Sequence, residues 1–193
     1  MSTKSGEPVL EFASRAAWTK WLAGNHATSG GVVLKIAKKL SGATGISYDD
    51  ALEVALSYGW IDARKSRLDD RFWLQRFTPR GPRSKWSQRN RAKALELIES
   101  AKMRAAGQRE VDRARADGRW DAAYAGQSAA TVPADLDAAL HANRRAARFF
   151  AELDGRNRYA ILYRIGDAKR PETRARRIEK FVAMLDAGEK IYP

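Results

Sequence analysis

Cysteine is absent from the 193 residues, which excludes disulfides, thiolate nucleophiles and Cys-ligated metals. Histidine occurs only at His26 and His141, too few for a His-rich metal site and a poor basis for a histidine triad. No metal is therefore expected. Gly30-Gly31 stands alone, without the spacing of a dinucleotide fingerprint or a phosphate loop, so no cofactor is expected either. No apolar run approaches the ~18 residues of a membrane span. The segment Met1 to Glu11 has no apolar stretch of the kind that marks a secretory signal, and the chain reads as cytoplasmic. Helix-turn-helix, zinc-finger and RNA-binding aromatic signatures are missing as well.

What the chain does have is positive charge in one place. The net charge is +13 and the pI about 10.3. The stretch from Asp62 to Lys93 holds eleven Lys or Arg against three Asp, which accounts for +8 of that total. Aromatics and small polar residues fall in or beside the same block. Arg76 and Arg80 could converge with Ser84, Ser87 and Asn90 at the start of a helix, where backbone amides and guanidinium forks suit an anion. Trp60 and Trp86 could stack a planar ligand, and Asp62 is the acid best placed to meet Arg76 or Arg80 across a strand pair. These eight residues are the candidate ligand-binding set. An anionic small molecule is the expected partner. The competing readings are a small enzyme for a phosphate- or carboxylate-bearing substrate, nonspecific nucleic-acid binding, and arginines that merely solvate helix faces. No catalytic residue can be named, and whether a reaction follows stays open. His26 reads as a structural hydrogen-bonding residue, His141 as exposed, and Arg174, Arg176, Arg177 and Lys180 as a solvated helix face.

Periodicity predicts a mostly helical α+β protein with a small antiparallel sheet and a helical C-terminal module. Trp18, Trp21 and Leu22 fit one face of a helix over 14–22. Val32 to Ile36 is β-branched and reads as a strand. Ser47 is placed to cap a helix that presents Ala51, Val54, Ala55 and Tyr58 and stops at Gly59. Trp60 to Arg64 and Phe72 to Thr78 read as two further strands joined by a turn region around Leu68-Asp69-Asp70. Pro79 and Pro82 end pairing. A helix capped by Ser84 or Ser87 follows, running to about Met103 with Leu95 and Ile98 inward, then another over 108–117. The small-residue run 122–133 reads as a linker between a 1–121 α+β domain and a 134–193 helical module. There, Leu136, Leu140, Ala147, Phe150 and Leu153 stripe one helix. Tyr159, Leu162 and Tyr163 mark another, and Ile178, Phe181, Val182 and Leu185 the last.

The motifs Trp18-x-x-Trp21-Leu22-x-x-Asn25-His26, Ser47-Tyr48-x-x-Ala51-Leu52 and Tyr58-Gly59-Trp60-Ile61-Asp62 occur in order. Arg76-Phe77-Thr78-Pro79-Arg80, Ser84-x-Trp86-Ser87-x-x-Asn90 and Asp117-Gly118-Arg119-Trp120 follow, then Phe149-Phe150, Ala168-Lys169 and Glu172-Thr173-Arg174-x-Arg176-Arg177-Ile178. Over nearly the whole chain this series resembles the YdeI/OmpD-associated, or bacteriocin-protection, family. Where that family tends to carry an aromatic in the first strand and a glycine after Trp-Ile-Asp, this chain has Val33 and Ala63. The resemblance implies a stress-response role in protection against bacteriocins or cationic antimicrobial peptides and an association with an outer-membrane porin. It implies no reaction and no cofactor.

Overall fold

The computed structural model describes residues 7–193. Among them are eight helices and one four-stranded sheet of order β1-β2-β4-β3. The chain divides into two compact units, one of residues 7–86 with Asn90–Ala122, the other of Ser87–Arg89 with Ala123–Pro193. No helix among the described residues is long and apolar enough to cross a membrane.

The first unit is built on the sheet. β2 (Val32–Ala37) pairs antiparallel with β4 (Phe72–Pro79), and β4 with β3 (Trp60–Arg67), the three strands expected from the sequence. The sheet departs from the purely antiparallel expectation at its edge. There β1 (Val9–Leu10) runs parallel to β2, matching Val9 to Val33 and Leu10 to Leu34. Two residues are too few to leave a period-2 pattern. Val32, Leu34, Ile36 and Phe77 share the buried face of the pleat. Over them lie α1 (Arg15–Asn25), through Trp18 and Leu22, and α2 (Tyr48–Ser57), through Leu52, Ala55 and Leu56. The Ser47 hydroxyl accepts the Asp50 amide at 3.1 Å and so caps α2. α2 stops at Gly59, whose φ of 75° is open to glycine. A Cβ there would come within 2.9 Å of the Ala106 carbonyl.

α3 (Gln88–Glu99) buries Ala94 and Leu97, and leaves Leu95 exposed rather than inward. α4 starts at Ala105, three residues ahead of the expected boundary, and runs to Ala116.

In the second unit the stripe expected on one helix falls on two. α5 (Ala134–His141) and α6 (Arg144–Glu152) are separated at Asn143, whose side chain accepts the Ala146 amide at 3.0 Å and starts a new helix. α7 (Gly155–Gly166) and α8 (Pro171–Asp186) complete the unit. Leu136, Leu140, Phe150, Ile161, Ile165, Ile178, Phe181 and Leu185 form its core.

Candidate functional site

Of the eight residues singled out in the sequence, Trp60, Arg80, Trp86 and Asn90 are buried and the other four partly buried, each engaged by its surroundings. Trp60 is 1 % exposed, donates its indole N–H to the His26 carbonyl at 3.1 Å and stands edge-on to Trp21. Asp62 accepts the Tyr48 hydroxyl at 2.8 Å, and its cross-strand neighbour is Phe77. Arg76 is held by Glu7, 69 residues earlier, through Nε at 2.7 Å and Nη2 at 2.6 Å. Hydrogen bonding to that carboxylate raises the guanidinium pKa further above its ordinary value.

Arg80, Ser84 and Trp86 do come together. The Arg80 guanidinium is buried 3.5 Å above the Trp86 ring, with Nη1 on the Lys85 carbonyl at 3.1 Å. The Ser84 hydroxyl accepts the Gly81 amide at 3.0 Å and closes the turn after β4. Trp86 stacks edge-on against Trp120, and Arg119 donates to the Ser84 carbonyl at 2.8 Å. Asn90 is buried in the same unit, while Ser87 belongs to the second unit and bridges to Tyr124. This grouping is an inward-turned knot of cations and indoles.

Open space lies elsewhere in the same basic block. Lys65, Ser66 and Arg67 of β3, Trp73 of β4, and Lys38 and Lys39 after β2 line a cleft of about 450 Å³ at one end of the sheet. The strand register explains the set. Lys65 lies opposite Gln75 and Arg67 opposite Trp73, so these cations share a face with the indole. A β-bulge between Asp62 and Lys65 shifts the register just before them. The Lys65 ammonium sits 4.2 Å from the centroid of the Trp73 ring, and Tyr48 packs against that ring from α2. Lys38 is fixed by its amide on the Arg71 carbonyl at 2.9 Å and by Nζ on the Asp69 carbonyl at 2.7 Å.

The lining carries four cations and no carboxylate. Two acids stand near by. Asp69 accepts the amides of Arg71 and Phe72, both at 2.8 Å, and these backbone bonds hold its pKa below the usual aspartate value. Asp70 meets Arg67 in a pair that is almost wholly solvated. Such a cleft can hold an anion by several point charges, with the Ser66 hydroxyl as a neutral donor and Trp73 as an apolar wall. All six lining residues lie outside the eight found in the sequence, although Lys65, Ser66, Arg67 and Trp73 fall within the 62–93 block. Their signal is the Lys-Lys pair closing a strand beside a hairpin that places basic residues across from tryptophan.

The second unit holds another cleft, of about 680 Å³, lined by Gly126 to Ala130, Gln88, Arg89, Gly155, Arg158, Tyr159 and Leu162. Tyr159 donates to the Ala125 carbonyl at 3.0 Å, and burial pushes its phenol above the ordinary value. On α8, Arg174 is pinned by Asp135 at 2.5 and 2.8 Å and by the Ile165 carbonyl at 3.1 Å. Arg177 donates to the Arg164 carbonyl. Both thereby cap the exposed carbonyls at the end of α7, so this part of the basic run is structural rather than a solvated face. His26 likewise sits in the fold, its Nδ1 3.0 Å from the Leu22 carbonyl. Among the described residues no group of three or more His, Asp or Glu is placed to hold a metal ion.

These features define a two-unit, mostly helical α+β protein with a cation-lined cleft on its sheet. The model of a domain of unknown function, DUF8412, matches residues 10–110, more than half of the chain, and that of the Bacteriocin-protection, YdeI or OmpD-Associated family (OmdA) matches 129–188. The chain therefore belongs to the DUF8412 family and carries a C-terminal OmdA domain, the YdeI/OmpD-associated kinship its motifs suggested. The motifs from Phe149 to Ile178 lie in the OmdA match, those from Trp18 to Asn90 in the DUF8412 match and Asp117-Gly118-Arg119-Trp120 in neither, so the YdeI/OmpD-associated kinship expected over nearly the whole chain is matched over 129–188. No curated protein and no solved structure matches the chain.

Proposed function

We propose that the protein is a cytoplasmic anion-binding protein that works in the protective role for which the OmdA family is named. The cleft formed by Lys38, Lys39, Lys65 and Arg67 beside Trp73 receives the anion. One observation carries this reading: four cations line the same open cleft and no carboxylate stands among them. Like charges held close repel one another, and a bound phosphate or carboxylate relieves that repulsion. Arg67 also meets Asp70, but in a solvated pair that leaves most of the cleft's positive charge uncompensated. The buried Arg80–Trp86 knot supports the turn after β4, at the other end of that strand from Trp73.

Titration calorimetry with inorganic phosphate and with a small dicarboxylate, at low salt, tests the reading. The intact protein should bind saturably, and Lys65→Gln with Arg67→Gln should weaken binding about tenfold or more. Both side chains are exposed, so the fold should survive the change. Equal binding by this variant, or none by the intact protein, would reject the assignment.

A further inference from the structure

We infer that the end of the sheet carrying this cleft docks on an anionic lipid surface, with Leu40 and Leu68 entering the bilayer interface and the surrounding cations meeting lipid phosphates. The inference rests on the anion-binding reading and names the source of the anion.

A soluble anion accounts for the lysines but not for the leucines. Leu40 is 101 % exposed and Leu68 is 40 % exposed, and both sit at turns. Leu40 follows Lys38-Lys39 in the turn closed by the Ser41 amide on the Lys38 carbonyl at 3.1 Å. Leu68 follows Arg67 in the turn between β3 and β4. The two turns are neighbours, joined by the Lys38 amide and ammonium bonds to the Arg71 and Asp69 carbonyls. Both leucines thus stand at the same end of the sheet, on turns fixed to one another.

Around them are Lys38, Lys39, Lys65, Arg67 and Arg71, against Asp69 and Asp70. Asp69 spends its carboxylate on two turn amides, and Asp70 on the exposed pair with Arg67. The patch keeps a positive excess, with apolar side chains beside it. That pairing has a specific physical use. Interfacial anchors bury apolar groups about 5–10 Å into the headgroup boundary while Lys and Arg remain at the level of the phosphates. Anionic leaflets attract each such cation, and the attraction weakens over a Debye length. Long lysine stems let the charge stay in water as the turn goes down. The paired turns have this shape, and water around a fully exposed leucine gains nothing from it.

Vesicle sedimentation with the full chain tests the idea, using phosphatidylglycerol–phosphatidylcholine vesicles against phosphatidylcholine alone, with phosphate calorimetry in parallel. The intact protein should bind the anionic vesicles and leave the neutral ones. Leu40→Ser with Leu68→Ser should lower vesicle affinity at least about tenfold, since two inserted leucines are lost, and leave phosphate affinity unchanged. Lys65→Gln with Arg67→Gln should weaken both, and Leu95→Ser, an exposed leucine on α3, should change neither. If the double leucine variant binds vesicles as the intact protein does, only the net charge of the chain is acting and the docking inference falls. If phosphate binds and vesicles do not, the anion is a soluble one, and the inference falls while the anion-binding reading stands. If neither binds, both fail.

Discussion

Gly107 offers a test in which one methyl group decides the sign of a stability change. It is the third residue of α4, where the helix presses on the end of α2. A Cβ at this position would lie 2.4 Å from the Ser57 carbonyl oxygen, 2.7 Å from that of Leu56 and 2.5 Å from Met103 Sδ. The methionine can move; the two carbonyls belong to α2 and cannot. The Arg104 amide already bonds to the Ser57 carbonyl at 3.1 Å, so backing α4 away also breaks the bond that seats it. Replacing glycine by alanine inside a helix gains at most about 1 kcal/mol of propensity. Overpacking against fixed atoms costs about 1–3 kcal/mol, and more where backbone must shift. Gly107→Ala should therefore lose about 2 kcal/mol net, while Gly24→Ala in α1, where nothing lies within 4 Å of the new methyl, should be neutral or gain about 0.5 kcal/mol. All six tryptophans belong to the first unit, so urea unfolding followed by their fluorescence reads the relevant transition. The expected midpoint shift for Gly107→Ala is downward by about 1 M at unchanged slope. A Gly107→Ala midpoint at or above that of the unmodified protein would refute the contact argument.

Two further outcomes concern the second unit. Phe181 is 7 % exposed within its core, so Phe181→Ala should cost about 3–5 kcal/mol, read by circular dichroism because no tryptophan reports there; a loss well below 1 kcal/mol would show that the α8 stripe is not packed as described. Hydrogen bonds from Arg174 hold the Asp135 carboxyl below the usual aspartate pKa. Its contribution to stability is therefore present above the unfolded value and fades as pH falls through the lower folded one, and Asp135→Asn should flatten the acid limb of a stability–pH curve. An unchanged acid limb would show that the pair contributes nothing.

Segments whose partners are close in sequence were legible from it. Ser47 is followed by the amide it caps, and β2 is marked by its run of β-branched residues. The break between α5 and α6 was also written locally, in Asn143 ahead of Arg144, but a continuous apolar stripe outweighed one capping residue. The inward choice of Leu97 over Leu95 was not available locally, because either leucine satisfies a helical period and only the packed neighbour selects one. β1 is two residues long and exists because β2 offers it an edge. The Glu7–Arg76 pair spans 69 residues, and no local rule reaches that far.

Within the basic block, arginine and lysine take different places. Arginine's planar fork can satisfy carbonyls and carboxylates at fixed angles, which makes it useful inside a fold. Here Arg76, Arg80, Arg119, Arg174 and Arg177 are spent in this way, on Glu7, on Asp135 and on backbone carbonyls at turns and a helix end. Lysine's hydrated ammonium is poorly suited to that work and tends to remain at the surface. Lys38, Lys39 and Lys65 accordingly line the open cleft, with Arg67 the one lining arginine. A count that takes both residue types as one charge therefore does not separate arginines that build the protein from cations beside open space. Lys38, Lys39, Lys65 and Arg67, near strand ends and beside a partly exposed tryptophan, are cations with open space next to them.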